Sequence, residues 1–116
     1  MELAHRRLNR VDVLSISGRI QAPEATKLQE RINELFTEGR FRLLLDLQNL
    51  DYISSPGLRV LIEARKRARE WKLSDFERGD VRIVHLPPRI KEVFDLTGFT
   101  SLFQIFDDTV EAVGSF

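Results

Sequence analysis

Apolar residues along this chain switch between two spacings. Over residues 3–8 and 11–17 alternation is mixed with continuity (Val11, Val13, Leu14, Ile16), which predicts two strands joined at the polar turn Asn9-Arg10. Gly18 is expected to end the second strand. From about Pro23 or Glu24 the spacing lengthens: Ala25, Leu28, Ile32, Leu35 and Phe36 recur at i, i+3, i+4, which predicts a helix stopping at Gly39. Residues 41–47 are a near-continuous apolar run, the pattern of a strand buried on both faces. A second helix is predicted from Pro56 to about Trp71, with Leu58, Leu61, Ile62 and Ala68 on one stripe, widened by Val60, Ala64 and Trp71. Residues 73–80 read as a polar connection with one Phe. Val81, Ile83 and Val84 form a strand ending at His85. Pro87-Pro88 opens a helix stopped by Gly98, Phe103–Phe106 make a short strand, and Asp107-Asp108 caps a last helix. Strands joined through helices tend to be parallel. The expectation is therefore an α/β domain with a mixed sheet of about four to five strands flanked by about four helices.

The junction at residues 43–62 draws attention because two serines sit between strand and helix. Pro56 is expected as the first helical residue, where its missing N–H costs nothing. Ser55 is expected to be the N-cap, accepting from the N–H of Gly57 or Leu58. Capping accounts for only one of the two hydroxyls. Gly57 costs about 0.5–1 kcal/mol in a helix relative to Ala. Close approach of another backbone would explain it, and so would room for Tyr52 or Phe41 to pack.

Composition narrows the chemistry. A length of 116 residues suits one domain, residues 1–116, with a core that needs no staples. Eighteen basic and eighteen acidic residues cancel, so general affinity for nucleic acid is not expected. The absence of cysteine excludes disulfides, thiol chemistry and thiolate metal sites. No apolar run has the length of a signal-peptide core or a membrane span, so a cytoplasmic protein with no membrane insertion is expected. Serine catalysis needs a base within reach. His5 is expected at the surface and His85 at a strand end against a loop. A Gly-x-Ser-x-Gly elbow lacks its first glycine here, and Gly57 and Leu58 occupy the positions where Ser-x-x-Lys would need lysine. No enzyme, cofactor or metal site is therefore expected. Asp46 and Asp51 bracket the third strand without the further acids of a phosphotransfer receiver, and Asp46 is expected near helix termini or a loop N–H. Arg65, Lys66, Arg67, Arg69 and Lys72 are expected to form a solvated face paired with Glu63 and Glu70; an acidic partner or lipid surface is the functional alternative.

The run Leu45-Asp46-Leu47, Leu50, Tyr52-Ile53-Ser54-Ser55, Gly57-Leu58-Arg59-Val60-Leu61 resembles the signature of STAS domains, the module of sulphate transporters and bacterial anti-sigma factor antagonists. Ser17-Gly18-Arg19-Ile20, Leu86-Pro87-Pro88-Arg89-Ile90 and Val93-Phe94-Asp95-Leu96-Thr97-Gly98-Phe99 extend the likeness in the same order. With no membrane segment attached, the free-standing anti-sigma factor antagonist type is favoured. The resemblance implies a regulatory protein, monomeric or weakly dimeric, that binds an anti-sigma factor, a serine kinase of the histidine-kinase-like ATPase fold. Phosphorylation at Ser55 (second choice Ser54) would release it, and a metal-dependent serine phosphatase would restore it. The implied partner-binding surface comprises Gly18, Arg19, Gln21, Asp51, Tyr52, Ser54, Pro56, Gly57 and Arg59. Well-known members carry Asp-Ser-Ser-Gly where this chain has Ser54-Ser55-Pro56-Gly57. Gln21 stands where an Asp is frequent, and residues 70–80 look longer than usual. The alternative within the family is a STAS interaction subunit that is never phosphorylated, in a signalling, lipid or transport complex. A small-ligand or nucleotide module has no support beyond the Gly18 and Gly57 loops.

Overall fold

The computed structural model describes residues 1–72, 74 and 77–116. In chain order the elements are β1 (Glu2–Leu8), β2 (Val11–Ile20), α1 (Ala22–Thr37), β3 (Arg42–Asp46), β4 (Leu50–Ile53), α2 (Ser55–Glu70), β5 (Asp80–Val84), α3 (Pro88–Thr97), α4 (Phe99–Leu102), β6 (Ile105–Phe106) and α5 (Thr109–Gly114). The α/β class with a mixed sheet is as expected from the sequence. Two short elements, β4 and α4, enlarge it to six strands and five helices among the described residues. Of the polar connection at 73–80, Leu73, Asp75 and Phe76 lie outside the described residues.

The sheet runs β1-β2-β3-β5-β6, with β1 antiparallel to β2 and every other pairing parallel. The alternation of side chains along the central strands divides the core in two. Leu14, Ile16, Leu43, Leu45, Val81 and Ile83 join Leu28, Ile32 and Leu35 of α1 and Leu61, Ala64 and Ala68 of α2 in the larger cluster. The intervening Val11, Val13, Leu44 and Val84 pack with Ala112 of α5. Both faces of β3 are therefore covered, which is why its sequence reads as an unbroken apolar run.

Gly18 does not end the second strand. Its φ of +87° is a left-handed conformation that glycine adopts without the penalty of a Cβ. The resulting irregularity between Gly18 and Arg19 lets β2 leave β3 and continue alongside β4, with Arg19 opposite Tyr52 and Ile20 opposite Ile53. The glycine is a bulge rather than a stop, and it creates the edge on which the serine turn is mounted.

The basic half of α2 is bonded differently from the expected pairing with Glu63 and Glu70. The Arg67 guanidinium lies 5.0 Å from the Phe36 ring centroid and donates to Asn33 of α1. Arg65 lies 5.9 Å from the Phe103 ring, and Arg69 pairs with buried Asp80 at 3.5 Å. These side chains close the edges of the core, with their stems on apolar surface and their charges at its rim.

Candidate functional site

The serine turn is built by β2 and β4 together. Ser54 N–H donates to the Ile20 carbonyl at 2.8 Å, which holds Ser54 as the last extended residue, with φ −82° and ψ 169°. The first helical bond then runs from Leu58 N–H to the Ser54 carbonyl at 2.9 Å. Ser54, not Ser55, is the N-cap: its hydroxyl accepts from Gly57 N–H at 3.3 Å. The helix starts one residue earlier than expected because the β2–β4 pairing, invisible in the local sequence, fixes where the extended chain ends. Pro56 is thus the second helical residue. It is still harmless there, because the first four N–H groups of a helix have no intrahelical acceptor.

This correction separates the two hydroxyls. Ser54 is half-buried and committed to the backbone. Ser55 stands on the first turn of α2, exposed, with no hydrogen-bond partner for its hydroxyl among the described residues.

Gly57 serves the protein's own core. A Cβ there would lie 2.8 Å from both Ile20 Cγ2 and Ile53 Cγ1, too close for either branched side chain to tolerate unmoved. Within the chain the close approach is therefore to Ile20 and Ile53, not to Tyr52 or Phe41. It sinks the start of α2 onto the β2–β4 edge and leaves Ser55, Pro56 and Arg59 exposed on its outer side.

Around this turn the sequence-predicted residues assemble unequally. Arg19 and Tyr52 are both exposed and cross-strand neighbours, and the guanidinium sits 4.4 Å from the ring centroid. Such a cation–π stack preorganises two residue types that are enriched at protein interfaces. Asp51 is exposed beside Tyr52. A shallow depression of about 510 Å³ runs from it, between Gln48 and Leu50 on one side and Pro87, Pro88, Arg89 and Glu92 at the start of α3 on the other. Gln21 is exposed as the N-cap residue of α1, its backbone N–H donating to Glu24 Oε1 at 3.0 Å. Gly18 and Gly57 shape the backbone and offer no side chain. Sequence reading missed the Arg19–Tyr52 stack and the α3 wall of the depression. The first follows from β4, and nothing local announces the second.

Neither histidine stands free. His5 is not a plain surface residue: its Nε2 meets Asp12 Oδ1 at 2.7 Å, while Arg31 approaches its Nδ1 at 3.1 Å. His85, at a left-handed φ of 56°, turns its Nδ1 to Asp46 Oδ1 at 3.1 Å, and the same oxygen accepts from the loop N–H of Gln48. The loop N–H expected for Asp46 is thus present. Among the described residues, neither imidazole is hydrogen-bonded to a serine. No group of three or more acids or histidines there could hold a metal ion, and no helix is long and apolar enough to cross a membrane.

BtrV of Bordetella bronchiseptica, named as a candidate anti-sigma factor antagonist, is 29% identical over 116 residues, spanning all of this chain and 95% of the relative. RsfB of Mycobacterium tuberculosis, an anti-sigma-F factor antagonist, is 35% identical over 81 residues, covering 67% of this chain and 66% of RsfB. Among solved structures, SpoIIAA of Bacillus in its phosphorylated form superposes with a TM-score of 0.73 at 14% identity, over 98% of each chain. The family model for the STAS domain matches residues 3–112, and with the order of strands and helices described above this chain belongs to the STAS domain family.

Proposed function

We propose that this protein is an anti-sigma factor antagonist, a binding protein and not an enzyme, whose partner is released by phosphorylation of Ser55. The observation that carries the reading is the division of labour in the serine turn. Ser54 caps the helix, so the exposed Ser55 hydroxyl can be modified without uncapping α2. The names of BtrV and RsfB support the antagonist role, and the existence of a phosphorylated form of SpoIIAA, a protein of the same fold, supports regulation by phosphorylation. The partner would be an anti-sigma factor of the serine-kinase type, and a serine phosphatase would reset the switch. The cytoplasm is the compartment such partners require.

The physical basis is local. A neutral Ser55, with Pro56, Arg59 and the Arg19–Tyr52 stack around it, can be covered by a partner at little cost. Transfer of the γ-phosphoryl of ATP to Ser55 Oγ releases ADP and a proton and adds about 1.5 to 2 negative charges. Within the protein the first turn of α2 tolerates that charge, favouring it by about 0.3–1 kcal/mol. Across an interface the same charge must be desolvated and would face Asp51 and any partner acids. A penalty of about 3 kcal/mol lowers affinity roughly a hundredfold, with no change of fold. Incubation with the cognate kinase and ATP, followed by mass measurement and phosphopeptide mapping, tests the reading. Wild type and Ser54→Ala should gain one phosphate and Ser55→Ala none; a phosphate mapped to Ser54 overturns the assignment.

A further inference from the structure

Ser55 and Arg59 lie one turn apart on α2, and both are exposed. Gly57 and Leu58 between them are buried, and Pro56 is carried about 100° round the helix from Ser55. Helical side chains lean toward the N-terminus, so a residue at i+4 covers the surface over residue i. Arg59 also differs from the arginines that follow it. Arg65 lies on Phe103, Arg67 on Phe36 and Asn33, and Arg69 on Asp80. Arg59 has no hydrogen bond, ion pair or ring contact among the described residues, not even with the exposed Glu63 one turn on.

We propose that Arg59 is the built-in counter-ion of phosphorylated Ser55. The inference rests on the reading of Ser55 as the phosphoacceptor and adds what the phosphate meets. An acidic group followed by a basic one at i+4 is the favourable order on a helix, and a guanidinium can meet two phosphate oxygens at once. Modification therefore changes two features of the surface. The new charge is held down against α2, and the one guanidinium of this helix that is uncommitted among the described residues is withdrawn from solvent.

The test uses the full chain with phosphoserine installed at position 55 by genetic-code expansion, so it does not depend on any kinase. A phosphorus NMR titration reads the second phosphate pKa, ordinarily about 6. It should lie roughly 0.15 to 0.4 unit lower with Arg59 present than in Arg59→Gln, with Arg59→Lys between them. The gap should shrink at high salt, because an exposed pair is screened. Exchange of the Arg59 side-chain Nε–H with water should slow when phosphoserine replaces serine. Equal pKa values in all three proteins, or an Arg59 N–H whose exchange ignores the phosphate, would overturn the counter-ion. A kinase that leaves Ser55 unmodified would instead sink the proposed switch, so the two failures are distinguishable.

Discussion

The two ends of β2 handle polar groups in opposite ways. At its start, Asp12 is 1% exposed and its carboxylate is fully engaged: Arg40 Nε at 2.7 Å, His5 Nε2 at 2.7 Å and Arg7 Nε at 3.2 Å all converge on it. At its end, the Ile20 carbonyl fixes Ser54, and the next residue presents a hydroxyl with no partner among the described residues. A strand end held by several buried or half-buried ionic bonds is costly to alter and is used to hold the fold. A strand end where Ser54 has taken the capping task leaves the Ser55 hydroxyl exposed, which is what the proposed switch requires.

The contrast is broken most severely at Asp12. Replacement by alanine strands Arg40, His5 and Arg7 around an empty space, and should cost about 2–4 kcal/mol, read as a lower urea midpoint; the partial exposure of all three partners keeps this below the loss from a fully buried pair. Acid should act on the same group. Burial pushes the Asp12 carboxyl up, but hydrogen bonds from Arg40, His5 and Arg7 more than offset it and hold it below the ordinary aspartate range. A carboxyl depressed in the folded state stabilises the protein above its unfolded pKa, near 4, and that stability is lost as pH falls through the folded value. Wild type should therefore lose stability below about pH 4 more steeply than Asp12→Asn in parallel urea titrations.

At the other end of β2 the largest effect should come from a residue with no side chain. Gly57→Ala would place a methyl 2.8 Å from Ile20 and Ile53. The gain in helix propensity offsets only part of this overpacking, and a net loss of about 1–2 kcal/mol in thermal or urea unfolding is expected. Because the new methyl meets Ile53 Cγ1, Ile53→Ala, which removes that atom, should cost less in the Gly57→Ala chain than in wild type. An unaltered Tm for Gly57→Ala would mean that this end of the molecule is looser than its packing implies.

How much of this was legible in the sequence follows from the range of each interaction. The central strands, the two long helices and the left-handed stop at Gly98 are written in spacing and composition, because each depends on residues within one or two turns. β4 was not, because its four residues show only Leu50 and Ile53 buried around the exposed Asp51 and Tyr52. Such a segment is a strand only because Gly18 lets β2 reach it. From that one missing pairing came the displaced cap, the unrecognised Arg19–Tyr52 stack and the wrong neighbours for Gly57. The engagement of His5 with Asp12 failed to appear for a similar reason: those partners face each other across the β1–β2 pair, His5 opposite Leu14 and Arg7 opposite Asp12, with Arg40 arriving from beyond α1.

The smallest predicted effects discriminate most finely, because they divide two adjacent and chemically identical side chains. Ser54→Ala removes a cap bond of 3.3 Å and should cost about 0.5–1 kcal/mol, at the lower end for an N-cap because the bond is long. Ser55→Ala removes an exposed hydroxyl that bonds nothing among the described residues, and should change the urea midpoint by less than about 0.5 kcal/mol. Binding should order the pair the other way. Once the kinase is supplied with ATP, Ser55→Ala should hold the partner constitutively, while Ser54→Ala should still release it. Ser55→Asp should release it only in part, since a carboxylate brings less charge and fewer acceptors than a phosphate. If the stability order were reversed, with Ser55→Ala the costlier change, Ser55 would be the true cap, and phosphorylation there would have to break the helix start rather than decorate it.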